Sequence, residues 1–163
     1  MRDIHTVLRV HRQLYAWSCA ASAHEFIAKV HEKIALDDYP LQNDPASQRG
    51  GFQFEAFLNS IGFTGHQDHL QPQDATKLFA TEIAQRRFPL VSILRGIGTG
   101  STYWHIVVAV PSGVEVALAD PAKQSLITQN TTETLTLLEA VVTAVPGRDR
   151  IHFLTCRDKQ TVA

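Results

Sequence analysis

Residues 103–121 read Tyr-Trp-His-Ile-Val-Val-Ala-Val-Pro-Ser-Gly-Val-Glu-Val-Ala-Leu-Ala-Asp-Pro. The apolar run here is strand-length and rich in β-branched residues, so Tyr103 to Val110 is expected as a buried strand. Pro111-Ser112-Gly113 supplies a tight turn, and Val114 to Ala119 returns as a second strand. The same period extends outward. Pro89 to Leu94 is expected as an earlier strand, separated by the Gly-rich stretch Gly96 to Ser101. Downstream, a short strand is expected over Ser125 to Thr128, a helix over Thr131 to Thr143 and a last strand over Ile151 to Cys156. From Phe88 onward the chain therefore reads as an antiparallel meander.

Before Phe88 the period is 3.6. Ala23, Phe26, Ile27, Val30 and Ile34 recur at helical spacing after Ser18, with Lys29, Glu32 and Lys33 in the intervening positions, which predicts an amphipathic helix of about four turns starting near Cys19. Residues 37–51 carry Pro40, Pro45, Asn43, Asp44 and Gly50-Gly51 and read as a loop. Phe54, Phe57, Leu58 and Ile61 repeat at i, i+3, i+4, i+7 and stop at Gly62, a suitable helix exit. A third helix is expected over 72–87, with Leu78, Phe79 and Ile83 inward. Helices first and strands second, without regular alternation, give an α+β fold: N-terminal helices packed against a C-terminal antiparallel sheet.

The chain has 163 residues, 44% of them hydrophobic and 19% charged. That is the balance of an ordinary globular protein, and the length suits one domain over 1–163, helical to about 87 and sheet-rich from about 88. Fifteen basic side chains against sixteen acidic ones leave a net charge of −1. Bulk attraction to nucleic acid is therefore not expected. Arg2, Asp3, His5 and Arg9 interrupt the first ten residues, so no signal peptide is read there, and no stretch has the length of a membrane span. Two cysteines do not make a disulfide framework. Cys19 and Cys156 are both read as thiols acting in a reducing, cytoplasmic setting.

Cys19 sits where a turn feeds a helix, a place where backbone N–H groups and the helix dipole favour thiolate. His105 is a polar ring early in an apolar strand, and Asp120 closes the strand that follows. A hairpin can bring those two to one end of the sheet. A thiol, an imidazole and an orienting carboxylate are the parts needed for acyl transfer. Gln13, six residues before Cys19, is a candidate second donor to an oxyanion beside the Cys19 N–H.

In these residues the chain resembles the papain-like cysteine peptidases. Gln13, Cys19, His105 and Asp120 stand in that family's order, and Gly50-Gly51-Phe52 precedes the second helix. The resemblance implies a papain-like fold, a Cys19-His105-Asp120 triad and a Gln13 oxyanion donor. It also implies a substrate groove that includes Gly50, Gly51 and Trp104. Short length and the stretch from His105 to Asp120-Pro121-Ala122 are most similar to bacterial double-glycine leader peptidases, although Trp17-Ser18-Cys19-Ala20 replaces that group's usual Asp-Cys-Gly. The implied partner is a protein or peptide substrate, with cleavage after small residues or Gly-Gly. Toxin or effector versions of such domains, delivered by a secretion system, bring an immunity or inhibitor protein as a further partner.

Each residue also has a plainer reading. A cysteine at a helix start can be a small core residue, His105 a core histidine satisfied by a carbonyl, and Asp120 before Pro121 an ordinary turn former. His24-Glu25 and His31-Glu32 miss the H-E-x-x-H spacing and read as solvated helix positions; His66 and His69 around Asp68 lack further ligands, so no metal and no cofactor is expected. The same thiol also serves a side-chain deamidase, an amidase or an acyltransferase. A catalytically silent peptide-binding module is the reading from outside enzymology.

Overall fold

A computed structural model describes residues 1–48, 53–70, 81–82, 84–85, 88–95, 103–112, 115–129 and 151–158. The helices are α1 (Ile4–Val10), α2 (Cys19–Val30), α3 (Pro45–Gln48) and α4 (Phe54–Ser60). The strands are β1 (Phe63–Leu70), β2 (Pro89–Arg95), β3 (Tyr103–Ser112), β4 (Glu115–Asp120), β5 (Ser125–Gln129) and β6 (Ile151–Asp158). All strands join one antiparallel sheet in the order β1-β6-β2-β3-β4-β5. The α+β reading holds, with α2 packed against β3, but β1 lies inside the part expected to be helical to about 87.

Helix α2 supplies the centre of the core. Ala21, Ala23, Phe26, Ile27, Ala28 and Val30 are buried together with Val108 and Val110 of β3 and Ala117 and Ala119 of β4. Val107 and Ala109, which alternate with those β3 residues, are buried as well. The strand is thus covered on both faces, which is why it reads as an uninterrupted apolar run.

Several expectations need correction. α2 ends at Val30, and Ile34 lies beyond it, partly buried against the same core. The helix is also buried all round from Ala21 to Val30, so Lys29, His24 and Glu25 are interior rather than solvated. Pro111 and Ser112 pair with Val116 and Glu115 inside the ladder and so belong to the strand, not to the turn expected over 111–113; residues 113 and 114 lie outside the described residues. The loop read over 37–51 contains α3 and buries Leu41 and Gln42. Of the helix expected over 72–87, Thr81, Glu82 and Ala84 are helical and most of the rest lies outside the described residues. The same is true of the whole helix expected over 131–143 and the stretch 96–101.

Two elements had no counterpart in the sequence reading. α1 starts at Asp3, whose carboxylate accepts from the Thr6 N–H at 2.8 Å and caps the helix; Val7 and Leu8 then bury its inner face. β1 pairs residue for residue with β6 from the far end of the chain, Phe63 with Asp158 through Leu70 with Ile151. Among the described residues no helix is long and apolar enough to cross a membrane.

Phe26 is fully buried at the centre of this core. Phe26→Ala is expected to cost about 3–5 kcal/mol of stability, read from denaturant unfolding. A loss below about 1 kcal/mol would contradict this packing.

Candidate active site

The site forms where the N-terminal end of α2 meets the start of β3. Ser18 occupies the cap position of α2, but its hydroxyl makes no capping bond to the first turn. It turns back to Tyr15 O at 2.9 Å and Gln42 Oε1 at 2.7 Å. The first N–H groups of a helix have no intrahelical acceptor, so they remain available for a negative charge. The partly exposed Cys19 is a free thiol and accepts from the Ala20 N–H there, and from the Ile106 N–H of β3.

The register explains how His105 and Asp120 meet. Val108 faces Ala119, so one further step places Asp120 opposite Val107, two residues from His105 and on the same face. Such diagonal neighbours lie within reach of long side chains. His105 Nε2 donates to Asp120 Oδ1 at 2.9 Å, with both side chains buried. That oxygen also accepts from the Ala122 N–H at 3.0 Å. Asp120 is therefore a turn former and an orienting carboxylate at once. With Nε2 engaged by Asp120, Nδ1 is the ring nitrogen left for the hydrogen bond between His105 and the Cys19 sulfur.

The electrostatics follow. Burial opposes a charge on the His105 ring, yet the hydrogen bonds to Asp120 and Cys19 outweigh it and raise its pKa to about 9. Burial likewise opposes the thiolate, but the His105 bond and the Ile106 and Ala20 N–H groups bring the Cys19 pKa below that of an ordinary thiol. The two shifts share one contribution, a thiolate and an imidazolium stabilising each other.

Gln13 lies at the same end of the sheet, held by its backbone N–H to Pro121 O at 3.4 Å. Its side chain, however, faces its own loop: Nε2 donates to Tyr15 O at 2.8 Å and Ala16 O at 3.3 Å, and Oε1 is buried without a hydrogen-bond partner among the described residues. In this conformation the amide is turned toward the loop that precedes Cys19. Gly50 and Gly51 lie outside the described residues, and Trp104 is placed only by its backbone, paired with Leu94.

Sequence reasoning missed the rest of the surroundings. Tyr15 and Trp17 stack with ring centres 5.0 Å apart and planes 5° from parallel, and both are partly exposed two to four residues before Cys19. Tyr103, on the same face of β3 as His105, is 58% exposed. His24, read as solvated, is buried with its pKa lowered by burial to about 4 and its ring stacked on Phe54. No periodic pattern announces any of these; the aromatic residues could have been noticed only for their closeness in sequence to Cys19 and His105.

No family model and no curated protein matches the chain. Solved structures do match it. A double-glycine motif protease from an AMS/PCAT transporter, crystallised in complex with the leader peptide, aligns with a TM-score of 0.51 and 16% identity over 91% of this chain and 90% of that one. The chain has the papain-like fold. At that identity the fold is what the two share. The Pseudomonas avirulence protein AvrPphB aligns with a TM-score of 0.42 and 15% identity over 85% of this chain and 90% of its own.

The ion pair sets a pH dependence. Between the lowered Cys19 pKa and the His105 value of about 9, the thiolate is present together with a proton donor. Alkylation of Cys19 by iodoacetamide is therefore expected to set in at a lower pH than that of an ordinary thiol. In Asp120→Ala, His105 loses a group that raises its pKa, and the onset of alkylation is expected to move up toward the ordinary thiol range. Rates that climb through the ordinary thiol range in wild type would contradict the pair.

Proposed function

We propose that the protein is a papain-like cysteine peptidase that hydrolyses peptide bonds through Cys19, His105 and Asp120. The observation that carries this reading is the hydrogen-bonded chain from the Cys19 sulfur through the His105 ring to the Asp120 carboxylate. Chain order, hydrogen bonding and the directions of both pKa shifts support one division of labour: a nucleophile, a base that becomes an acid, and an orienting group.

The Cys19 thiolate attacks the peptide carbonyl. A carbon–sulfur bond forms and the carbonyl electron pair moves onto oxygen. The Cys19 N–H, at the first position of α2, stabilises that oxyanion. The Gln13 amide joins it by turning away from Tyr15 O and Ala16 O, a movement that also releases the buried Oε1 from its unpaired position. The His105 imidazolium protonates the leaving nitrogen as the carbon–nitrogen bond breaks. His105 then takes a proton from water, which attacks the thioester, and the carboxylate product leaves with the thiolate restored. Asp120 holds the ring in the tautomer that both steps use.

The substrate is a peptide or protein segment. By analogy with the double-glycine motif protease and its leader peptide, small residues, Gly-Gly in the limiting case, are assigned to the acyl side of the cut.

The test is incubation of wild-type and Cys19→Ala protein with a bacterial lysate, followed by identification of new N-termini. Wild type is expected to generate termini that follow small residues, and Cys19→Ala to generate none. Gln13→Ala is expected to cut the rate by about a hundred- to a thousandfold without abolishing it. Mass increases of about one dalton on intact chains, in place of fragments, would assign the thiol to deamidation instead.

A further inference from the structure

The segment from His11 to Ser18 forms neither helix nor strand. It carries Gln13 and ends on the residue before Cys19, so its position decides where both oxyanion donors point. One buried side chain braces it. Gln42 Oε1 accepts from the Leu14 N–H and from the Ser18 hydroxyl, each at 2.7 Å, while Nε2 donates to Arg12 O at 3.0 Å. Its second amide proton goes to the Glu25 carboxylate on α2 at 2.6 Å. An amide has two donors and two acceptor lone pairs, and all four are used. Glu25 in turn holds the Gln42 backbone, with Oε1 accepting from the Leu41 and Gln42 N–H groups at 2.7 and 2.9 Å. The orientation of the amide is dictated, because turning it over would set its oxygen against a carbonyl and a carboxylate.

We propose that Gln42, anchored by Glu25, is a positioning residue: it fixes the Arg12–Ser18 segment to α2 so that the Cys19 N–H and the Gln13 amide can meet the oxyanion. Three of its four bonds fall on that segment, near both ends and in the middle, and the fourth ties them to the helix that carries the nucleophile. This rests on the peptidase reading, since only an attacked carbonyl needs those donors. A misplacement of about 1 Å in such a site can cost on the order of a hundredfold in rate. The thiolate–imidazolium pair is held by the Ile106 and Ala20 N–H groups and by Asp120, none of which is among the hydrogen-bond partners of the Gln42 side chain given above.

Two reactions of Cys19 separate these roles. Acylation by p-nitrophenyl acetate passes through an oxyanion, whereas alkylation by iodoacetamide is a displacement at carbon that does not. Ser18→Ala, which removes one anchor, and Gln42→Met, which removes all four at similar volume, are compared with wild type and a Cys19→Ala blank. Both variants are expected to slow acylation by about tenfold or more while alkylation at the same pH stays within about twofold. Acylation unchanged in both variants, or acylation and alkylation falling in parallel, would overturn the proposal while leaving the peptidase reading intact. Should Gln42→Met not fold, Ser18→Ala alone decides. Wild type that acylates no faster than the Cys19→Ala blank would overturn the peptidase reading and this proposal with it.

Discussion

A thiolate and an imidazolium, each made stable by the other, are the constraint around which this end of the molecule is arranged. Neither charge would persist alone in so buried a place: burial pushes the His105 ring toward neutrality and the Cys19 sulfur toward the thiol. The pair survives because Asp120 holds the far side of the ring and because backbone N–H groups of Ala20 and Ile106 point at the sulfur. Those partners come from the start of α2, the start of β3 and the end of β4, so the site exists only once the helical part and the sheet have docked.

Around it, the interior of α2 is unusually polar. Glu25 and Lys29 lie one turn apart, both buried, and Lys29 Nζ sits 3.1 Å from His11 Nδ1 and 3.6 Å above the Tyr39 ring. Burial lowers the Lys29 pKa to about 8, against the attraction of Glu25, and lowers that of His11 to about 3, helped by Lys29. A neutral His11 can then donate from Nε2 to Ser22 O at 2.7 Å and accept from Lys29. These groups are satisfied rather than orphaned, which is the condition for keeping them inside. Together with Gln42 they fasten residues 11–18 to the helix, a segment whose exposed Leu14, Tyr15 and Trp17 contribute little burial of their own.

The fold class was legible because its two signals are local. The 3.6-residue period of Ala23, Phe26, Ile27 and Val30 and the apolar run from Ile106 to Val110 each declare themselves within a short window. β1 did not, since His66, Gln67, Asp68 and His69 break any apolar alternation and its partner is some ninety residues away in β6. α1 is two turns long, too short for a period, although Asp3 followed by Thr6 marks its start. Cys19, His105 and Asp120 were readable from residue type and order. Gln42 and Glu25 were not: a glutamine in a loop and a glutamate four residues before a lysine look like surface, and only packing shows that α2 is buried on every side from Ala21 to Val30. The orientation of the Gln13 amide is likewise a three-dimensional fact that spacing cannot carry.

The most direct measurement of the Cys19–His105 pair is NMR titration of the His105 ring nitrogens in wild type and in Cys19→Ala. In wild type the ring is expected to stay protonated through neutral pH and to titrate at about 9, with the value dropping clearly once the sulfur is gone. A ring that titrates near its ordinary value in both proteins would contradict the ion pair and the mechanism built on it.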